Sequence, residues 1–256
     1  MLSFEFAVFL FFAGALGGAL NALAGGGSFI AFPALVFTGV PEIPANATNT
    51  VALWTGVTAS GGAYRSRLDV PKRFLVPLVS AGFAGGLSGS LLLLHTPEHT
   101  FRKVLPWLML GATLLFVFSR RLAKGRSATM RHEAGRLAIA GACLFELLAA
   151  TYGGYFGGGL GIVNLAMLGT LGMADIHAMN ALKSVLGSAV NGIAVVVFIV
   201  KRAIYWPQAM VMIAGAVLGG YFGAHYAMKL PQRWVRGFVI LVGTAMTVYF
   251  FVRGYR

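Results

Sequence analysis

Acidic residues are scarce in this 256-residue chain: seven Asp and Glu stand against 20 Lys and Arg, for a net charge of +13. Charges of both signs reach only 11%, against about 25% in a soluble domain. A soluble all-helical core would need polar faces at helical period, and the long apolar segments have none. The single cysteine, Cys143, excludes an internal disulfide and a Cys-based metal cluster, and leaves the redox compartment unreadable. His95, His99, His132, His177 and His225 stand at loop edges or span ends without ligand spacing. No Ser/His/Asp grouping, paired-carboxylate motif or phosphate loop occurs, so neither an enzyme nor a cofactor is implied. The stretch "GGGLG" resembles part of a dinucleotide fingerprint, but it lies in an apolar run without the strand that fingerprint requires.

What the chain has is hydrophobic length. It is 58% apolar with a mean hydropathy of +0.80. Apolar runs near 4–24, 47–64, 74–94, 101–119, 137–158, 181–200, 204–228 and 234–252 are each long enough, at roughly 17–25 residues, to cross the hydrocarbon as helix. The fold class expected is all-α, a polytopic membrane protein of about eight transmembrane helices. The first run is not read as a signal peptide, because it lacks a basic start, carries Glu5 and has a counterpart inside the chain.

Thirty-five glycines are the other excess. In "NALAGGGSFIAFPALVFTGVPEIPANATNT" (21–50) three in a row interrupt an apolar run, each costing roughly 1 kcal/mol against alanine in a helix interior. "YGGYFGGGLGIVN" (152–164) repeats the break. Irregular backbone at membrane depth is tolerated where it is buried in protein or lines a wet cavity. Short apolar pieces, 28–38 and 160–172, follow the two breaks and read as bends or half-helices that lead to the next span.

At an offset of 134 residues the sequence matches itself: Gly25 with Gly159, Gly27 with Gly161, Asn46 with Asn180, Ala47 with Ala181, Gly89 with Gly223, Pro97 with Pro231 and Arg102 with Arg236. This predicts a duplication: a first transmembrane repeat over 1–119, a basic linker over 120–136 and a second repeat over 137–256. Transporters are often built this way, with substrate held where the repeats meet. Fourteen of the 20 basic residues fall in the 65–73, 120–136 and 201–202 segments and at the C-terminus. The positive-inside rule then places both termini and the linker in the cytoplasm, with the repeats parallel. The same loops explain the net charge by contact with anionic lipid of the bilayer, and no nucleic-acid fold or aromatic platform accompanies them.

Small polar residues cluster beside the breaks: Asn21, Ser28, Asn46, Thr48, Asn49, Thr50 and Trp54 near the first, Asn164, Asn180, Lys183, Ser184, Ser188 and Asn191 near the second. Singly, each would also serve as hydrogen-bond glue between helices. A helix restarting after "GGGS" or "PANATN" would offer free amides and the positive end of its dipole, a setting for a small anionic substrate. The candidate binding set is Gly25, Gly26, Gly27, Ser28, Asn46, Thr48, Asn49, Gly159, Gly161, Asn180, Lys183 and Asn191, with Lys183 as the balancing cation. The alternative for Lys183 is snorkelling to the surface from the first turn of its helix. Glu146, in "CLFELLAATYGG", is a proton-coupling candidate; pairing with an arginine at the cytoplasmic edge is the other reading.

The segments "AGGGSFIAFPALVFTGVPEIPANATNTVAL" and "GGGLGIVNLAMLGTLGMADIHAMNALKSVLGSAVN", with the duplicated plan, resemble the sulfite exporter (TauE/SafE) family of permeases over nearly the whole chain. The resemblance implies an inner-membrane transporter, by family expectation an exporter, of small sulfur-containing anions or organic acids such as sulfite or sulfonates. It maps the family's break onto Gly25, Gly26, Gly27 and Ser28 and its polar motifs onto Asn46, Thr48, Asn180 and Lys183. Asn49 stands where the second half has Lys183, which leaves one fixed cation. A passive anion channel would use the same break, and a membrane enzyme would have only Cys143 and Glu146 to work with. A homo-oligomer is compatible with the sequence, which selects neither anion, direction nor coupling ion.

Overall fold

The computed structural model describes residues 2–63, 70–123, 136–171, 173, 176–226 and 232–255. Within them the chain is ten helices without a strand: α1 (Phe4–Ala24), α2 (Ser28–Phe37), α3 (Glu42–Ala63), α4 (Lys72–His95), α5 (Glu98–Ala123), α6 (Arg136–Tyr155), α7 (Leu160–Thr170), α8 (Ile176–Val200), α9 (Trp206–Tyr226) and α10 (Gln232–Tyr255). Six of them, α1, α4, α5, α6, α8 and α10, are long and apolar enough to cross a membrane. The chain is a multi-pass membrane protein. Its lipid-facing character is visible in exposed side chains such as Phe12, Leu92, Leu148, Tyr221 and Leu241.

Helix α3 falls outside that apolar set because its first half is polar, yet Glu42, Asn46, Thr48, Asn49 and Thr50 are all buried. It is an interior helix, packed against α8, α9, α1 and α2. Helices α2 and α7 have 10 and 11 residues, about 15 Å of helix, half of what a crossing needs.

The two glycine breaks are built alike. Helix α1 closes on Gly25 in the left-handed region (φ 76°), whose amide donates to Asn21 O. Helix α6 is followed by Gly157, also left-handed (φ 77°), after Phe156 N donates to Tyr152 O. A side chain at such a φ is strained, which is what glycine avoids. Gly157 thus takes the place after α6 that Gly25 takes after α1, 132 residues on rather than the 134 of the sequence match. Helices α6 and α7 begin 132 residues after α1 and α2, while α8, α9 and α10 begin 134 after α3, α4 and α5. Helix α7 is one residue longer than α2, and five residues separate α7 from α8 where four separate α2 from α3.

Glycines set the tightest contacts. On α1 and α9, Gly14 abuts the Met212 backbone, Gly18 abuts Ala216, and Gly223 abuts Ala19, so the two helices run parallel. On α4 and α6, Gly82 faces Glu146, Gly85 faces Leu147 and Gly89 faces Thr151, again parallel. Helices α5 and α10 run antiparallel: Arg236 on α10 donates to Phe116 O near the end of α5, and at the other end Trp107 Nε1 donates to Tyr255 Oη (2.9 Å).

The helix ends bear on which segments share a face. The C-terminal end of α10 sits beside Glu42, Arg102 and Lys103, with Arg253 Nη2 3.5 Å from Glu42 Oε1. Helix α1 starts at that same end, because it runs parallel to α9 and Tyr205, just before α9, donates its amide to Thr48 Oγ1. The end of α5 that leads to the 120–136 segment is at the opposite face. Both chain ends thus share one face and the ends of α5 and α6 that flank the linker share the other. An even number of crossings per half, as read from the sequence, puts the chain ends and the linker on one face. Most of the linker, residues 124–135, lies outside the described residues.

Candidate functional site

A polar cavity of about 50 Å³ lies where the two breaks meet α3 and α8. The breaks touch: a Cβ on Gly25 would stand 3.2 Å from Gly161 Cα. Helices α3 and α8 cross antiparallel at the same level, where Trp54 Nε1 donates to Ser188 O (3.1 Å). Asn49, Leu53 and Val57 on α3 and Lys183, Gly187 and Asn191 on α8 line the walls, spaced by four so that each set forms one helical stripe. Asn21, Ala22, Gly25, Ser28, Thr50, Gly157, Leu160, Gly161 and Ser184 complete the lining.

Lys183 is 7% exposed. Its stem packs on Gly161, where a Cβ would come within 3.4 Å of Lys183 Cδ, and no hydrogen bond or ion pair from any described residue reaches its ammonium. A buried ammonium without a partner is costly. Asn49 Nδ2 donates to Ser28 Oγ (3.2 Å), tying α3 to the start of α2, while Asn49 Oδ1 takes no donor. The amides of Gly26, Gly27 and Ser28 find no acceptor among the described residues. At about 10–15 Å³ per water-sized group, the cavity has room for roughly three to five such groups. That suits a compact oxyanion or several waters.

Of the twelve residues expected to bind, the structure brings Gly25, Ser28, Asn49, Gly161, Lys183 and Asn191 to the cavity. Gly26 faces Val239 of α10, Gly27 presses on the Gly17 backbone, and Gly159, left-handed at φ 85°, sits against Ala112. Asn46 Nδ2 donates to Tyr155 O (3.0 Å) and Thr48 Oγ1 accepts from Tyr205 N, so both join segments outside the cavity. Asn180 does not line the cavity and its Oδ1 has no partner. Glu146 is also elsewhere, fully buried between α4 and α8.

Two local expectations are corrected. Helix α3 begins at Glu42 and α8 at Ile176, so "PANATN" and Lys183 lie inside helices and contribute side chains, not free amides. Nor does Lys183 snorkel: it sits seven residues into α8 and is buried on the cavity. The apolar wall residues Leu53, Val57 and Gly187 escaped the sequence reading. The four-residue spacing from Asn49 and from Lys183 is the signal that would have found them.

At the face that holds the chain ends, Glu42 is 1% exposed and takes both Arg102 Nε (3.0 Å) and Arg102 Nη2 (3.2 Å), while Glu98 Oε1 accepts from Ile43 N. Burial works to raise the Glu42 carboxyl, but the hydrogen bonds and charge of Arg102 outweigh it and leave it below the usual carboxylate range. Its folded value being depressed, the stability it adds is complete above the ordinary carboxylate range and is lost as pH falls through the lower folded value. Glu42→Gln in detergent should therefore lower Tm by several degrees at neutral pH, with the gap to wild type closing towards pH 3. A gap that is constant with pH would mean that the pair stabilises by shape alone.

The chain matches the family model described as "Sulfite exporter TauE/SafE" over residues 10–250. It is 30% identical over 243 residues to a "Probable membrane transporter protein" of Haemophilus influenzae, covering 93% of this chain and 91% of that one. It is 26% identical to "Probable membrane transporter protein YfcA" of Escherichia coli K12 (93% and 87% covered) and 27% identical to "Probable membrane transporter protein ORF9" of a Sinorhizobium species (96% and 93%). No solved structure matches. With nearly its whole length matched, this chain belongs to the sulfite exporter TauE/SafE family of membrane transporters.

Proposed function

We propose that the protein is a secondary transporter that moves small sulfur-containing anions such as sulfite or sulfonates across the inner membrane, by family likeness an exporter, with the anion held against Lys183 in the cavity. The observation that carries this is the buried ammonium, without a partner among the described residues, on a polar cavity between two interrupted helices. The cavity supplies the donors a small anion needs, and the single cation suits a monoanion or part of the charge of a dianion. No cofactor enters the mechanism and no bond of the substrate is broken.

Eight long helices in two copies of one plan, related by an axis in the membrane plane, are the architecture this reading uses. It is supported by the helix starts and by the pairings: α1 with α9 is answered by α6 with α4, α3 with α9 by α8 with α4, while α3 meets α8 and α5 meets α10 across the centre. Such inverted halves can exchange conformations, opening the central cavity to either face. With this topology 13 basic residues belong to the α3–α4, α5–α6 and α9–α10 connections and their flanking turns, and six to the other face. The positive-inside rule then makes the linker face cytoplasmic and the chain ends external. In a variant with Cys143 replaced, His99→Cys and Tyr255→Cys should react with an impermeant reagent on intact cells and Lys72→Cys only after permeabilisation; the reverse pattern would refute the orientation.

Transport itself is tested with purified protein in liposomes. Uptake of radiolabelled sulfite should saturate, be competed by sulfonates and be accelerated by unlabelled sulfite inside. Acceleration from the far side is a carrier's property, and its absence in the presence of rapid flux would instead indicate a channel.

A further inference from the structure

Glu146 has no role in the cavity, yet it is a fully sealed carboxyl. It is 0% exposed, and neither carboxyl oxygen has a partner among the described residues. Its Oε1 lies against Gly82 of α4, which also touches Val190 of α8. The fold does not need a carboxyl there. Gly14 and Glu146 each stand eleven residues before the left-handed glycine that follows their helix, Gly25 or Gly157. In the α1–α9 pair that place is filled by glycine against the Met212 backbone.

Among the described residues, no charged or titratable group faces Glu146 from the helices packed around α6. On α4 the nearest are Lys72 and Arg73, about 15 Å along the helix from Gly82, and His95, about 20 Å the other way. On α8, Lys183 lies seven residues from Val190, about 10 Å, and is turned to the cavity. Helix α7 carries none, and on α6 itself Cys143 is one turn away. An unpaired carboxylate sealed among apolar atoms costs several kcal/mol, so the form this site accommodates is the uncharged acid.

We propose that Glu146 is the proton-binding site of the transport cycle, resting on the transport reading above. The step is simple in its balance: one proton from the water on one face binds one carboxyl oxygen, and the same proton leaves to the water on the other face, with no other bond altered. The coupling element is α8. Val190, which helps seal Glu146, adjoins Asn191, which lines the anion cavity. A shift of α8 against α4 and α6 that changes the cavity's access changes the seal over the acid as well.

Liposomes holding the purified full chain and an entrapped pH dye, with a gradient of one pH unit imposed, test this with radiolabelled sulfite; protein-free liposomes correct for the proton that sulfite itself carries. Wild type should accumulate sulfite up to about tenfold per coupled proton and move protons with it. Glu146→Gln should lose the accumulation and the proton movement while sulfite-for-sulfite exchange, which needs no change of protonation, continues. Glu146→Asp should retain a response to the gradient and covers the case in which the glutamine variant fails to insert. Wild-type flux that saturates and exchanges but ignores the gradient, or a glutamine variant that still accumulates sulfite, overturns the proposal and leaves the transport reading standing. No protein-dependent flux at all overturns both.

Discussion

Replacing Lys183 with glutamine is expected to abolish anion binding while the protein still folds. Glutamine keeps hydrogen-bonding capacity and nearly the length but removes the one charge on the cavity. Losing one partner of a buried charge pair costs about 2–5 kcal/mol, or roughly 30- to 4000-fold in affinity. Stability should move the other way or stay level, since the ammonium has no partner among the described residues to lose and the desolvation of its charge is relieved. Lys183→Arg should bind more weakly than wild type, because a planar fork cannot take the compact place of an ammonium beside Gly161 without moving its neighbours. Equilibrium binding of labelled sulfite to purified variants, paired with thermal unfolding, separates the two effects. A glutamine variant with wild-type affinity would leave the backbone amides of the breaks as the binding groups.

Gly219→Val and Gly89→Val are expected to prevent assembly, the second largest effect. A Cβ at Gly219 would run into the backbone of Ala15, and one at Gly89 into the carbonyl of Thr151. Neither obstacle is a side chain that can rotate away, so helices α1 and α9, or α4 and α6, would have to separate. Overpacking a well-packed core by added methylenes costs about 1–3 kcal/mol, and a clash with backbone exceeds that range. Gly237→Ala and Gly111→Ala, where nothing lies within 4 Å, are the controls and should express as wild type does. Yield of monodisperse protein in detergent measures it. Equal yields for all four would mean that these helix pairs do not pack as closely as described.

The apolar runs of the sequence located every long helix, because a helix that crosses lipid must be apolar over most of its surface. Their starts were less legible. Helices α3 and α8 begin five residues before their apolar runs, at Glu42 and Ile176; in α3 the first turn is buried by neighbouring helices and tolerates a polar side chain such as Glu42. The two-residue slip between Gly157 and Gly159 was hidden by the run of three glycines, any of which matches any other; only the left-handed φ values distinguish them. Topology turns on one point of parity. A short helix such as α2 returns the chain to the face it left, and a hydropathy profile does not tell a return from a crossing. Lys183 was found as a lone cation in an apolar run, but its burial and its missing partner are tertiary facts that depend on Gly161 from another helix.

The most direct measurement of the account is a crystal structure of the protein with selenite, a heavier analogue of sulfite whose selenium is located by its anomalous scattering. The account predicts a peak in the cavity between α3 and α8, within hydrogen-bonding reach of Lys183 Nζ and close to Ser28 and Asn49, and no peak there in Lys183→Gln. A protein that transports sulfite and selenite yet binds selenium only away from this cavity would contradict it.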